Sequence, residues 1–149
     1  METILAPLPL GTSDFSALRK SGQIYVDKTG VIYKLASKRQ KFFLSRPRRF
    51  GKSLLLSTFE SLFKYGLRDF HGLEIESLWK DDSTYQVIRL DFSNLKGFSS
   101  AEEFSELLDQ YLLDTLTVNR LVSPIKTEKE GLRAFIGWLA LQADNSVVL

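Results

Sequence analysis

The chain has no cysteine and a single histidine, His71. Disulfides, Cys-based zinc sites and multi-His metal sites are therefore excluded. No apolar run is long enough to cross a bilayer. No basic-then-apolar leader pattern stands at the N-terminus, so the cytoplasm is the expected location. Internal repeats and low-complexity segments are missing too. Charge of one sign is scarce: the net charge is +2 and the pI about 8.8. That balance is too mild to imply nucleic-acid binding by itself.

What remains fits a globular protein. There are 149 residues, 44% of them hydrophobic and 26% charged, about one domain's worth with a core. Eleven Phe and two Trp make aromatic burial available.

The richest stretch is Lys41-Phe-Phe-Leu-Ser-Arg-Pro-Arg-Arg-Phe-Gly-Lys-Ser. An apolar run leads into a short loop ending in Gly51-Lys52-Ser53, and an amphipathic stretch starts at once. This is the order a nucleotide phosphate site needs. Backbone N–H groups and the helix dipole hold phosphate oxygens. A lysine neutralises β/γ charge, and a Ser or Thr hydroxyl reaches Mg²⁺. The full pattern G-x-x-x-x-G-K-[ST] is only half met, because Arg46 stands where the first glycine belongs. The candidate ATP-binding residues are Arg46, Pro47, Arg48, Arg49, Phe50, Gly51, Lys52 and Ser53, with Ser53 also a Mg²⁺ ligand. Alternatively, Lys52 and Ser53 merely begin a helix, and Arg48 and Arg49 face solvent or a partner carboxylate.

Periodicity and caps predict the elements around this loop. Residues 1–12, with Pro7 and Pro9, form an irregular N-terminal segment. Ser13 caps a helix through Lys20 that Gly22 stops; 23–26 is a short strand; Asp27 caps a helix over 28–37. Residues 42–45 are the strand feeding the loop. A helix over 52–65 follows, ending at Gly66, with Leu55, Leu56, Phe59, Leu62 and Phe63 as its apolar stripe. Residues 67–84 are irregular, pinned by Leu78 and Trp79, with His71 on a surface loop. Residues 85–92 are a second strong strand, and Ser100 caps a helix over 101–117. After a polar stretch with Pro124 come a helix over 128–143, a turn at 144–146 and an apolar strand from Val147. This alternation predicts an α/β fold, a P-loop NTPase-like, mainly parallel sheet flanked by helices. The loop would sit at the carboxyl ends of its strands.

Three pieces in order carry a family resemblance: Leu8-Pro-Leu-Gly-Thr-Ser-Asp-Phe15, Tyr25-Val-Asp-Lys-Thr29, and Arg46-Pro-Arg-Arg-Phe-Gly-Lys-Ser53. The chain resembles the predicted AAA-ATPase-like family of bacterial and archaeal proteins over most of residues 7–149. That family's phosphate loop typically reads R-P-R-R-F-G-K-S, so the resemblance makes Arg46 the family's form. It implies that residues 13–149 are a P-loop domain binding ATP and Mg²⁺. It also implies a later acidic strand, an apolar run into D-E-Y-D, and in many relatives a C-terminal nuclease-like domain. Here Val147-Val148-Leu149 stands where the acidic run would start.

The sequence thus reads as a partial, C-terminally truncated member. Its incomplete sheet would leave an edge open to a protein partner or self-association. Asp91, after Val87-Ile-Arg-Leu90, is the internal Mg²⁺ candidate, against a plain strand-end turn. No residue is assigned a catalytic role, and hydrolysis is doubtful without the acidic strand. Asp27 is a helix cap, with a place near the base only by analogy. Two other functions stay open: a module binding nucleic acid or an anionic partner through Arg46, Arg48, Arg49 and Lys52, and a remnant that does not fold alone.

Overall fold

The computed structural model describes residues 6–38, 40–121, 130–141 and 147–148. The chain divides into two compact units, Met1–Val87 and Ile88–Leu149. The first contains α1 (Phe15–Lys20), α2 (Thr29–Ala36), α3 (Lys52–Tyr65), a 3-10 turn (Gly66–Asp69), α4 (Ile75–Leu78) and β1 (Gln86–Val87). The second contains a 3-10 turn (Phe92–Asn94), α5 (Ala101–Val118), α6 (Gly131–Leu141) and β2 (Val147–Val148).

In the first unit, Phe15, Ile32, Ala36, Leu62, Phe70, Ile75 and Trp79 form the core. Phe15 lies 4.7 Å from Phe70, ring centre to ring centre, and meets Tyr25 edge-on at 5.2 Å. These are favourable aromatic geometries. The apolar stripe expected on α3 is only partly right. Leu62 is buried, and Leu55, Phe59 and Phe63 are partly so, but Leu56 is 55% exposed. The inner face of α3 also carries Ser57, Thr58 and Ser61, all buried. Each hydroxyl has a partner. Ser57 Oγ accepts from the Phe15 N–H at 2.9 Å, Thr58 donates to the Leu54 carbonyl at 2.8 Å, and Ser61 donates to Asp69 at 2.8 Å.

Asp69 joins three elements. Its buried carboxylate accepts from Ser16 on α1, from Ser61 on α3, and from Arg68 Nη2 at 2.8 Å. Arg68 in turn stacks on the Tyr65 ring at 3.8 Å. Arg19 donates to the Asp69 and His71 carbonyls. The Arg68 hydrogen bond, helped by the Ser16 and Ser61 hydroxyls, outweighs burial and holds the Asp69 carboxyl well below the usual carboxylate range.

The second unit is built on two helices. Leu112 and Leu116 on α5 pack with Ala134, Phe135 and Trp138 on α6 and with Ile88. Spacings of four on α5 and of three and four on α6 put these residues on one face each. Ser100 caps α5 by accepting from the Glu103 N–H at 3.2 Å. The start of α6 lies so close to α5 that a Cβ at Gly131 would overlap the Asp109 carbonyl. Leu132 N–H donates to the Asp109 carboxylate at 2.9 Å.

The mainly parallel sheet is not found. Among the described residues, strand is confined to β1 and β2, two residues each. Residues 23–26 and 42–45 are extended or irregular backbone, and most of 85–92 is as well. A short apolar run becomes a strand only when a neighbour pairs its N–H and C=O groups. Here the donors find other partners. Tyr85 N–H bonds the Phe63 carbonyl on α3, and Asp91 N–H bonds the Tyr111 hydroxyl on α5. Phe43 is 95% exposed.

The helices fared better, with local differences. Asp14, not Ser13, caps α1, accepting from the Ala17 N–H at 2.8 Å. Residues 67–84, expected to be irregular, contain α4 and the fully buried Ile75. Trp79 is buried as expected. His71 is exposed, its ring on Glu76 at 2.9 Å. The Pro124 stretch, the 144–146 turn, Leu149 and the ends expected for the last helix lie outside the described residues.

Two outcomes are expected. Asp69→Asn should cost about 1–3 kcal/mol at neutral pH, the scale of a broken buried hydrogen-bond set. Because the folded-state pKa is depressed, that stabilisation is present above the unfolded pKa of about 4 and is lost as pH falls below it. Parent and variant stabilities, measured by urea titration, should therefore converge in acid. Gly131→Ala should cost about 1–3 kcal/mol by overpacking against α5, read from Trp138 fluorescence in a Trp79→Phe background.

Candidate phosphate-binding loop

The loop is built by two left-handed residues. Arg49 has φ 66° and Gly51 φ 71°. Glycine takes this conformation freely, whereas an arginine side chain pays for it. They turn the chain so that α3 begins directly at Lys52. Gly51 occupies the N-cap position and offers no side-chain cap. The first helical bond runs from the Leu55 N–H to the Gly51 carbonyl at 2.9 Å. The N–H groups of the first turn are thus left without the side-chain acceptor that Ser or Asp would supply. Those donors and the positive end of the helix dipole suit an anion.

Lys52 closes the loop on itself. Its ammonium donates to the Arg46 carbonyl at 2.6 Å and lies 3.4 Å from the Pro47 carbonyl. A phosphate entering here would offer charged oxygens in exchange for these neutral acceptors, a stronger pairing. Ser53 is exposed one residue into α3. Arg46, Pro47, Arg48, Arg49 and Phe50 are all exposed, Phe50 to 63%. All eight candidate residues, Arg46 to Ser53, therefore lie on one loop and one helix start in the first unit.

Asp91 belongs to the second unit. It caps the 92–94 turn, accepting from the Ser93 N–H at 2.9 Å. The hydroxyl and N–H of Ser93 hold its carboxyl below the usual range. Among the described residues no group of three His, Cys, Asp or Glu is placed to hold a metal. No described helix is long and apolar enough to cross a membrane.

Asp27 is not the N-cap expected of it: Lys28 holds that position, without a side-chain cap, and Asp27 stands one residue before it. One carboxylate oxygen accepts from the Thr29 N–H at 2.8 Å and hydroxyl at 2.7 Å; the other accepts from the Glu74 N–H at 2.8 Å. The Thr29 hydroxyl accepts from the Ile75 N–H at 3.1 Å. The pair thus satisfies donors at the starts of both α2 and α4. Burial alone would raise the Asp27 carboxyl, but the Thr29 and Glu74 donors outweigh it and lower it. This second tether, like the Asp69 cluster, was not foreseen. Its signal is an Asx-type Asp-x-Thr, which shows the near partner but not the distant one.

Residues 9–149 match the family model described as "Predicted AAA-ATPase", and the chain belongs to that family. It is 34% identical over 137 residues to an uncharacterised protein in the vnfD 5′ region of Azotobacter chroococcum mcd 1. The match covers 91% of this chain and 26% of that protein, so the chain spans about a quarter of that relative's length. No solved structure matches.

Gly51→Ala meets no neighbouring atom, so its whole cost is backbone strain. It should lower stability by about 1–2 kcal/mol, and Gly51→Asn, which tolerates the left-handed region, should lower it less. Urea titration of the three chains checks the order.

Proposed function

We propose that this chain binds the polyphosphate of ATP at residues Arg46–Ser53. The observation that carries this reading is the side-chain-uncapped start of α3, with left-handed Gly51 before it and Lys52 folded over the loop. Family membership supports it. In this reading the first-turn N–H groups hold phosphate oxygens, and Lys52 swings from the Arg46 carbonyl to the β/γ oxygens. Arg48 and Arg49 add positive charge. The Ser53 hydroxyl is an exposed oxygen of the kind Mg²⁺ accepts, and Mg²⁺ commonly completes its shell with phosphate oxygens and water. That ion, when bound, neutralises polyphosphate charge. The proposal is binding; it assigns no residue to hydrolysis.

Thermal melting with and without Mg-ATP tests it, beside Lys52→Ala. The parent's transition should move upward, by an amount matching about 2.7 kcal/mol when ligand is a hundredfold over Kd. Lys52→Ala should melt like the unliganded parent and show little shift. A cooperative parent melt that ATP leaves in place would rule the proposal out. A melt without cooperativity would favour an incomplete domain that does not fold alone.

A further inference from the structure

Charge is mild overall but sharply segregated. No Asp or Glu stands between Asp27 and Glu60, whereas nine Lys or Arg fall between Lys28 and Lys52. None of the described cations in that stretch forms an ion pair with a described carboxylate. Large aromatic rings are exposed in the same run. Phe42 and Phe43 follow Lys41, and Phe50 follows Arg46, Arg48 and Arg49, along backbone that is neither helix nor strand. Phe43 is the most exposed large hydrophobic residue described.

Described cations with no described carboxylate partner suit a polyanion, and the exposed rings narrow the class. Guanidinium forks match phosphate oxygens, while a bare ring offers a face on which any base can stack. An acidic peptide would satisfy the cations and leave the rings in water. We propose that residues 41–50 are a docking strip for single-stranded nucleic acid, with Phe43 as the stacking platform and the flanking Lys and Arg on phosphates. The strip shares Arg46 to Phe50 with the ATP loop but does not rest on the ATP reading. Phe43 and Lys41 lie outside the loop, so the two can fail separately.

The test is fluorescence anisotropy of labelled oligothymidylate against the full chain across a salt series. The parent should bind, and more weakly as salt rises. Phe43→Ala should weaken binding about tenfold and Phe43→Trp should restore it, as loss and regain of one stacked base require. Lys41→Gln should lower the log–log salt slope by about 0.7, the share of one phosphate contact on a single strand. Helical circular dichroism and the response to Mg-ATP should stay as in the parent for all of these. No binding at low salt would overturn the proposal. So would polyglutamate competing as well as unlabelled oligothymidylate while Phe43→Ala has no effect, since that is plain charge attraction. Oligothymidylate binding in a parent that ATP does not stabilise would retain the strip and remove the ATP site.

Discussion

The Asp69 carboxylate is the constraint on which the first unit depends. It is buried, charged, and surrounded by donors from three separate pieces of chain: Ser16, Ser61 and Arg68. A buried charge is tolerable only when its acceptor sites are filled. Filling them here requires α1, the second half of α3 and the turn after it to meet at one point. Small hydroxyl residues on α3 make that approach feasible. Ser57 lets α1 come close enough for its backbone to bond directly, and Ser61 reaches the Asp69 carboxylate that α1 also bonds through Ser16. Larger apolar residues at these positions would hold the helices apart and leave the Phe15 N–H without its acceptor.

This arrangement divides α3 into two parts. Its second half is fixed by Asp69, by the Leu62 and Phe63 packing and by Gly66 at its end. Its first turn has no side-chain cap. Orphan N–H groups at a helix start normally cost stability unless something accepts them. A helix anchored firmly at one end can carry that cost at the other. The two earlier motifs of the family resemblance reinforce the anchoring. Asp14 caps α1 and Phe15 enters the core, while Asp27 and Thr29 hold the starts of α2 and α4. Both act in the scaffold around the loop.

What could be read from the sequence follows the range of the interactions. Helices were readable because their caps, stops and periodicity lie within a few residues: Ser100 before α5, Gly66 after α3. The start of α3 at Lys52, directly after Gly51, was readable for the same reason. Strands were not, because pairing needs a distant partner that no local pattern names. Residues 42–45 have strand composition and no ladder. The polar tethers were missed from the opposite direction. Ser57, Ser61 and Asp69 look like surface residues until the turn after α3 brings the carboxylate under α1.

The loop's departure from the usual glycine pattern has a local explanation. Left-handed backbone falls on Arg49 and Gly51, not on Arg46. What Arg46 contributes inward is its carbonyl, which receives Lys52. Every residue has a carbonyl, so this role does not call for glycine. The side chain at 46 is then free to be cationic. The cost moves to Arg49, the one residue with a long side chain in a strained conformation on this loop. A glycine there would relax the backbone and remove a charge from the place where phosphate charge is expected. Arginine at 49 keeps the charge at the expense of backbone ease, a trade that the proposed phosphate role would favour.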